Sequence, residues 1–217
     1  MPRATPRRRD PTHAAFNPVL VLDAAGHPVV AWSEQLGDTT TYDVFVDRWS
    51  GSAWDPLGSS LRVGSWSAAF VRDLATGPAG EVHAALQVRV SDDDRVAVRR
   101  WSEAGGAWAG LGSSLQATPD GRVTAASLVI DELGRPLLMW HERVPGDGGD
   151  VGIHQLWRYE TAVWRDLQFP VTTTPPYVGR GGDVATSDTG EVFVAAAWPD
   201  PDGLRHHLRV YRSNGVP

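Results

Sequence analysis

The chain has 217 residues, 26 acidic side chains against 20 basic ones, and no cysteine. The lack of cysteine excludes disulfide staples, thiolate nucleophiles and cysteine zinc sites, and because all 20 basic residues are arginine, a lysine Schiff base or phosphate-loop lysine is excluded as well. With Arg3, Arg7, Arg8 and Arg9 gathered at the start, a chain of net charge -6 has a body too acidic to neutralise phosphates, so no nucleic-acid partner is expected.

No apolar run approaches a membrane span, and the first residues lack the apolar core of a secretion signal. The chain therefore reads as soluble, with its compartment left open. Residues 1–13 are either a poorly ordered terminus or the strand that closes a ring. Pro2, Pro6 and the lack of a Trp make PRATPRRR (2–9) a poor strand.

From there the pattern is a succession of short period-two runs split by Gly, Pro, Asp and Ser, and helical periodicity is nowhere sustained. The first predicted strands are PVLVL (18–22), PVVAWS (28–33), DVFVDRW (43–49) and WDPLGSSL (54–61). RDLAT, EVHAALQV, RVAVRRW and WAGLGSSL follow, then ASLVI, RPLLMWHE, GIHQLWRY and WRDLQF, and finally DVAT, EVFVAAAW and HLRVYR.

These runs are copies of one unit. Gly26, Gly80, Gly134 and Gly190, each closing a first turn, stand 54, 54 and 56 residues apart. Trp54, Trp108 and Trp164 recur with the same spacing, each followed by a Leu at the same offset, and the preceding aromatic recurs as Trp49, Trp101 and Tyr159. Tandem four-strand units of this period predict an all-β chain forming a single β-propeller domain of four repeats of ~54 residues, 1–54, 55–108, 109–164 and 165–217. A β-sandwich gives no reason for a Gly turn and a Trp pair to recur at one interval.

Aligning Phe16 with Phe70 places both chain ends inside the same fourth strand. Three arrangements remain: a closed four-bladed ring, half of an eight-bladed dimer completed by self-association, or a fragment of a longer propeller.

The pattern D-x-x-G-x-P-x-x-A-W followed by R-W-x-G-x-x-W-x-x-L-G resembles the tandem repeats of bacterial β-propeller proteins, the group that includes sialidase-like and lectin-like propellers. The resemblance implies a fold and a binding face where loops meet the central channel, and it names no ligand. One near-match to the aspartate box of sialidases, Thr186-Ser187-Asp188-Thr189-Gly190-Glu191-Val192-Phe193, falls between a first and a second strand and reads as a generic turn.

The loops expected on that face nominate the candidate ligand-binding residues. Arg72-Asp73 and Arg180 with Asp183 lead into inner strands, and the two aspartates align across a four-bladed ring. They suit acid and base work on a glycosidic bond, hydrogen bonding to sugar hydroxyls, or Asp–Arg ion pairs that merely seal the channel. Trp66 and Tyr177 lie in corresponding connecting loops, suited to stacking on a sugar or to covering a neighbouring blade. Glu34, His141 and Glu142 follow second strands.

The recurrent Trp pairs are assigned to packing between blades. No metal site and no cofactor is expected. His141-Glu142 does not continue as H-E-x-x-H, adjacent His206 and His207 point to opposite faces, and the acidic loops 91–94 and 147–150 lack a calcium-loop spacing. No nucleophile elbow, phosphate loop or dinucleotide fingerprint is present, so no catalytic residue is nominated. The expected function is a non-enzymatic module binding a carbohydrate or protein surface. The alternatives are a propeller-fold glycoside hydrolase or lyase, and a structural repeat with no ligand.

Overall fold

The computed structural model describes residues 9, 12–37, 40–145, 151–168, 181–199 and 206–213. Those residues are all-β and form successive antiparallel meanders, the first two joined into one sheet by a parallel pairing of Tyr42 with Ala68. The first unit holds β1 (Ala15–Leu22), β2 (Pro28–Gln35), β3 (Tyr42–Trp49) and the short β4 (Trp54–Pro56). The second holds β5 (Trp66–Thr76), β6 (Val82–Val90), β7 (Asp93–Ser102) and β8 (Ala107–Gly110). The third holds β9 (Arg122–Ile130), β10 (Pro136–Val144), β11 (Val151–Glu160) and β12 (Val163–Asp166). The fourth, among the described residues, holds β13 (Gly182–Thr186), β14 (Val192–Pro199) and β15 (His206–Ser213).

Each predicted strand lies within an observed one or overlaps it, but the fourth strand of a unit is short. After Pro56 and Gly110 the backbone leaves the ladder, yet Leu57 and Leu61 still donate N–H to Val46 and Val44, and Leu111 and Leu115 to Val98 and Val96. Residues 2–8 of the expected closing strand lie outside the described residues. Arg9 is described: its N–H donates to Glu34 Oε2 at 3.2 Å and its Nη2 to Asp47 Oδ1 at 2.9 Å, and its guanidinium sits over the rings of Trp32 and Phe45.

The first turn of every unit is the same local solution. Gly26, Gly80, Gly134 and Gly190 all have φ between 75° and 84°, a conformation open to glycine without a Cβ clash. The residue opening the turn holds the returning strand: Asp23 Oδ1 accepts from Ala25 and His27 N–H, Asp131 Oδ1 from Leu133 and Arg135 N–H, and Ser187 Oγ from Thr189 and Glu191 N–H.

Units pack face to face, so central strands are apolar on both sides. In β6, Val82, Ala84, Leu86 and Val88 join a core with Val29, Ala31, Val44 and Val46 of the first unit, while Ala85 faces a second core with Leu128, Leu138 and Trp140 of the third. A third core joins Leu137, Met139 and Leu156 to Val184, Val192, Val194 and Ala196 of the fourth unit. Full burial of such a side chain is worth roughly 1.5–3 kcal/mol, so these seams are the main source of stability.

The recurrent W-x-x-L-G is a lock between units. Trp108 Nε1 donates to Leu57 O at 2.7 Å and Trp164 Nε1 to Leu111 O at 2.6 Å, each reaching back one unit. A Cβ on Gly58 would meet Trp101 Cζ3 at 3.0 Å, and one on Gly112 would meet Trp164 Cδ1 at 3.2 Å, so the glycine is where the next unit's aromatic pair sits. The Trp101–Trp108 and Tyr159–Trp164 rings stack tilted at centroid distances of 5.6 and 5.1 Å.

Candidate functional site

The first strands of the units stand side by side, β1 against β5, β5 against β9 and β9 against β13. This inner edge gathers the aspartates singled out from the sequence. A register shift between Val71 and Asp73 makes Arg72 the extra residue of a bulge, and a bulge re-aims the side chains around it.

Asp73 is half-buried and ties two units together. Its Oδ1 accepts the N–H of Leu74 at 2.8 Å, and its Oδ2 the N–H of Leu128, in the next unit, at 2.7 Å. One unit further on, Ser127 holds the position equivalent to Asp73. Its hydroxyl donates to Asp183 Oδ1 at 2.5 Å and accepts, at 3.4 Å, the N–H of Val184, which also donates to Asp183 Oδ1 at 2.9 Å. Asp73, Ser127 and Asp183 thus form a row across three units. The two aspartates stand on either side of Ser127, whose hydroxyl is given to Asp183, while Asp73 binds the backbone N–H of Leu128 next to it.

Burial pushes the Asp73 carboxyl above the ordinary carboxylate range; the N–H groups of Leu128 and Leu74 and the Ser127 hydroxyl pull the other way, and the charge of Asp183 adds to the rise. The row therefore pairs a carboxyl biased toward its protonated form with an exposed carboxylate, separated by a hydroxyl. Such an arrangement can donate and accept protons, or hydrogen-bond a polyol.

Arg72 does not pair with Asp73. Its Nε donates to Gln87 Oε1 at 3.0 Å and its Nη2 donates to the same atom. Burial lowers its pKa, opposed by the charge of Asp94, which itself binds Arg89 Nε at 3.0 Å.

The remaining candidates fall away from this row. Trp66, expected in a connecting loop, is the first residue of β5 and packs half-buried on the core between the first two units. Glu34 and Glu142, expected in loops, lie inside β2 and β10 with no exposure. Each carboxylate accepts the indole N–H of the tryptophan two residues earlier, Trp32 or Trp140, at 2.8 Å. Each also holds the segment entering its own unit: Glu34 binds Arg9 N–H, while Glu142 binds the N–H of Ala117 at 2.7 Å and of Thr118 at 3.2 Å, and the Thr118 hydroxyl at 2.7 Å. These carboxylates pin connections and offer a ligand no surface. Tyr177 and Arg180 lie outside the described residues, as do Asp147 and Asp150 of the acidic loop.

His141 is buried in β10, its Nδ1 2.7 Å from Thr124 Oγ1 and its ring 4.8 Å from that of His154. Burial, with the neighbouring His154 and Arg143, lowers its pKa to about 4. Among the described residues no cluster of three His, Asp or Glu is disposed to hold a metal ion. A cavity of about 340 Å³ opens near the first-turn end of the second and third units, lined by His83, Arg100, Arg135, Pro136, Tyr159 and Glu160. It lies apart from the aspartate row.

Sequence reasoning named Asp73 and Asp183 as candidates; the repeat alignment puts Ser127 at their position without nominating it, and Gln87 was passed over. Gln87 carried no signal, because only the bulge turns Arg72 toward it.

No family model matches the chain, and no curated protein matches it. Solved structures do. A protein of unknown function from Dyadobacter fermentans superposes with a TM-score of 0.61 at 11% identity, over 91% of this chain and 60% of its own. The α-L-arabinanase of Penicillium chrysogenum, complexed with arabinobiose, gives 0.61 at 15% identity over 94% and 63%. An ulvan lyase of polysaccharide lyase family PL25 gives 0.56 at 13% identity over 98% and 58%.

The chain has a propeller-type all-β fold. It spans about 60% of the length of the structures it resembles. At these identities the likeness is one of fold alone.

Proposed function

We propose that this chain is a carbohydrate-active protein of propeller-type fold whose glycan lies over the inner strands, at Asp73, Ser127 and Asp183. The observation that carries the reading is the row itself, a carboxyl with a raised pKa and an exposed carboxylate with one serine, bound to the second, between them. The arabinan- and ulvan-degrading enzymes among the similar folds support a glycan as the substrate class. In a hydrolytic cycle the protonated Asp73 carboxyl gives its proton to the departing glycosidic oxygen. Asp183 takes a proton from the water whose oxygen bonds to the anomeric carbon, and Ser127 holds the two groups in register.

One observation favours a second reading, a glycan-binding module without turnover. Both oxygens of Asp73 accept backbone N–H groups, which makes that side chain part of the frame. Exposed Asp183 then binds sugar hydroxyls, with the buried Ser127 hydroxyl holding it in place.

A panel of arabinan, ulvan and other plant and algal polysaccharides separates the readings. Release of reducing ends, or ultraviolet absorbance of unsaturated uronates, reports cleavage; calorimetry reports binding. Cleavage that is lost in Asp183→Asn without a change in melting temperature supports the enzymatic reading. Binding without cleavage supports the module, and neither across the panel overturns both.

A further inference from the structure

The two ends of the unit series expose the two halves of one repeated interface. Consider first the inner-strand residue that pairs with the third residue of the second strand: Leu20 with Val30, Leu74 with Ala84, Leu128 with Leu138 and Val184 with Val194. Leu74, Leu128 and Val184 are 5%, 2% and 3% exposed because each packs on the unit before it. Leu20 is 62% exposed, and Leu22 beside it 54%.

The other half lies on the third strands. Val46, Val98, Leu156 and Val210 pair with Ala31, Ala85, Met139 and Ala195. The first three are 1%, 3% and 2% exposed under the unit that follows, whereas Val210 is 64% and its neighbour Leu208 74% exposed. In every seam the two halves share a core: Val46 with Leu74, Val98 with Leu128, Leu156 with Val184. The unmatched pair is Val210 with Leu20. No contact between β13 and β1 comparable to those of the other inner strands occurs among the described residues.

The inner-edge hydrogen bonds end in the same place. Asp73 takes the N–H of Leu128 and Ser127 that of Val184. Asp183 is the next acceptor in the series, and its Oδ2 has no partner among the described residues. The matching donor is the N–H of Leu20, which by the shared register points away from β2.

We propose that two copies of this chain dock at both ends, the fourth unit of each on the first unit of the other, so that Val210 meets Leu20 of the partner subunit. The contact repeats the seam already present three times within the chain, and a two-fold axis makes both contacts identical and leaves neither face open. Each contact also carries the N–H of Leu20 to Asp183, so the aspartate row continues from one copy into the next. The pairing does not depend on glycan activity.

Light scattering on the eluting protein tests it. The expected mass is twice 23.5 kDa and holds over a hundredfold dilution into the micromolar range. Leu20→Arg and Val210→Glu each halve the mass. Mixing the two variants restores the doubled mass, because one contact then joins Arg to Glu and the other keeps the native Leu–Val pair. A native chain that runs at 23.5 kDa throughout, a mass that climbs with concentration without a plateau, or variants that leave the mass unchanged overturn the proposal. The native measurement decides even if a variant fails to fold.

Discussion

The indole N–H of Trp164 donates to the carbonyl of Leu111 across 53 residues at 2.6 Å, and Gly112, next to that carbonyl, lies under the same indole. This contact joins the third unit to the second as Trp108 and Leu57 join the second to the first. Trp164→Phe keeps most of the ring but strands the carbonyl, with an expected cost of about 1 kcal/mol. Gly112→Ala places a Cβ 3.2 Å from Trp164 Cδ1 at a φ of 73°, and about 1–2 kcal/mol is expected. Urea titration followed by tryptophan fluorescence measures both.

Asp73 is a clasp between the second and third units. Asp73→Ala leaves the N–H groups of Leu74 and Leu128 without their acceptor, and a loss of roughly 1–3 kcal/mol is expected. Asp73→Asn retains one amide oxygen and is expected to cost less. Equal costs for the two variants in denaturant titration contradict the clasp.

Glu142 is buried with four donors around it, one indole, two backbone N–H groups and one hydroxyl. Glu142→Ala abandons all four and is expected to lower stability by about 3 kcal/mol or more. Glu142→Gln turns an amide NH2 toward at least one donor and is expected to fall between that variant and the native protein. Thermal unfolding by circular dichroism orders the three.

Two buried histidines predict acid sensitivity. Burial lowers both His83 and His141 to about 4, from an ordinary value of 6.5. Between those values the unfolded chain holds protons that the folded chain does not, so stability is full above pH 6.5 and falls as pH drops toward 4. Each histidine contributes up to about 3 kcal/mol to that fall. His141→Asn is expected to flatten the profile of unfolding free energy against pH over this window; an unchanged slope refutes the assignment.

The repeat was legible because a face-to-face stack imposes the same demands on every unit. The turn glycines at φ near 80° and the Trp–Leu–Gly lock must recur wherever a unit begins or meets its neighbour, and they recur in the sequence at that spacing. The candidate site was legible only in part. Asp73 and Asp183 stood out because they align in the repeat, but Glu34 and Glu142 have the same look of polar residues at strand ends. Nothing local says that a tryptophan two residues earlier and an incoming backbone segment consume them.

The sequence by itself determined the all-β class, the strand order and the repeat, since alternation, turn chemistry and the spacing of large aromatics are local properties that each unit must satisfy alone. Tertiary structure alone decided which polar residues share an edge, which carboxylates are spent on backbone N–H groups, and which apolar faces stay uncovered. Those depend on the rotation from one unit to the next and on a bulge at Arg72, and neither leaves a periodic trace in the chain.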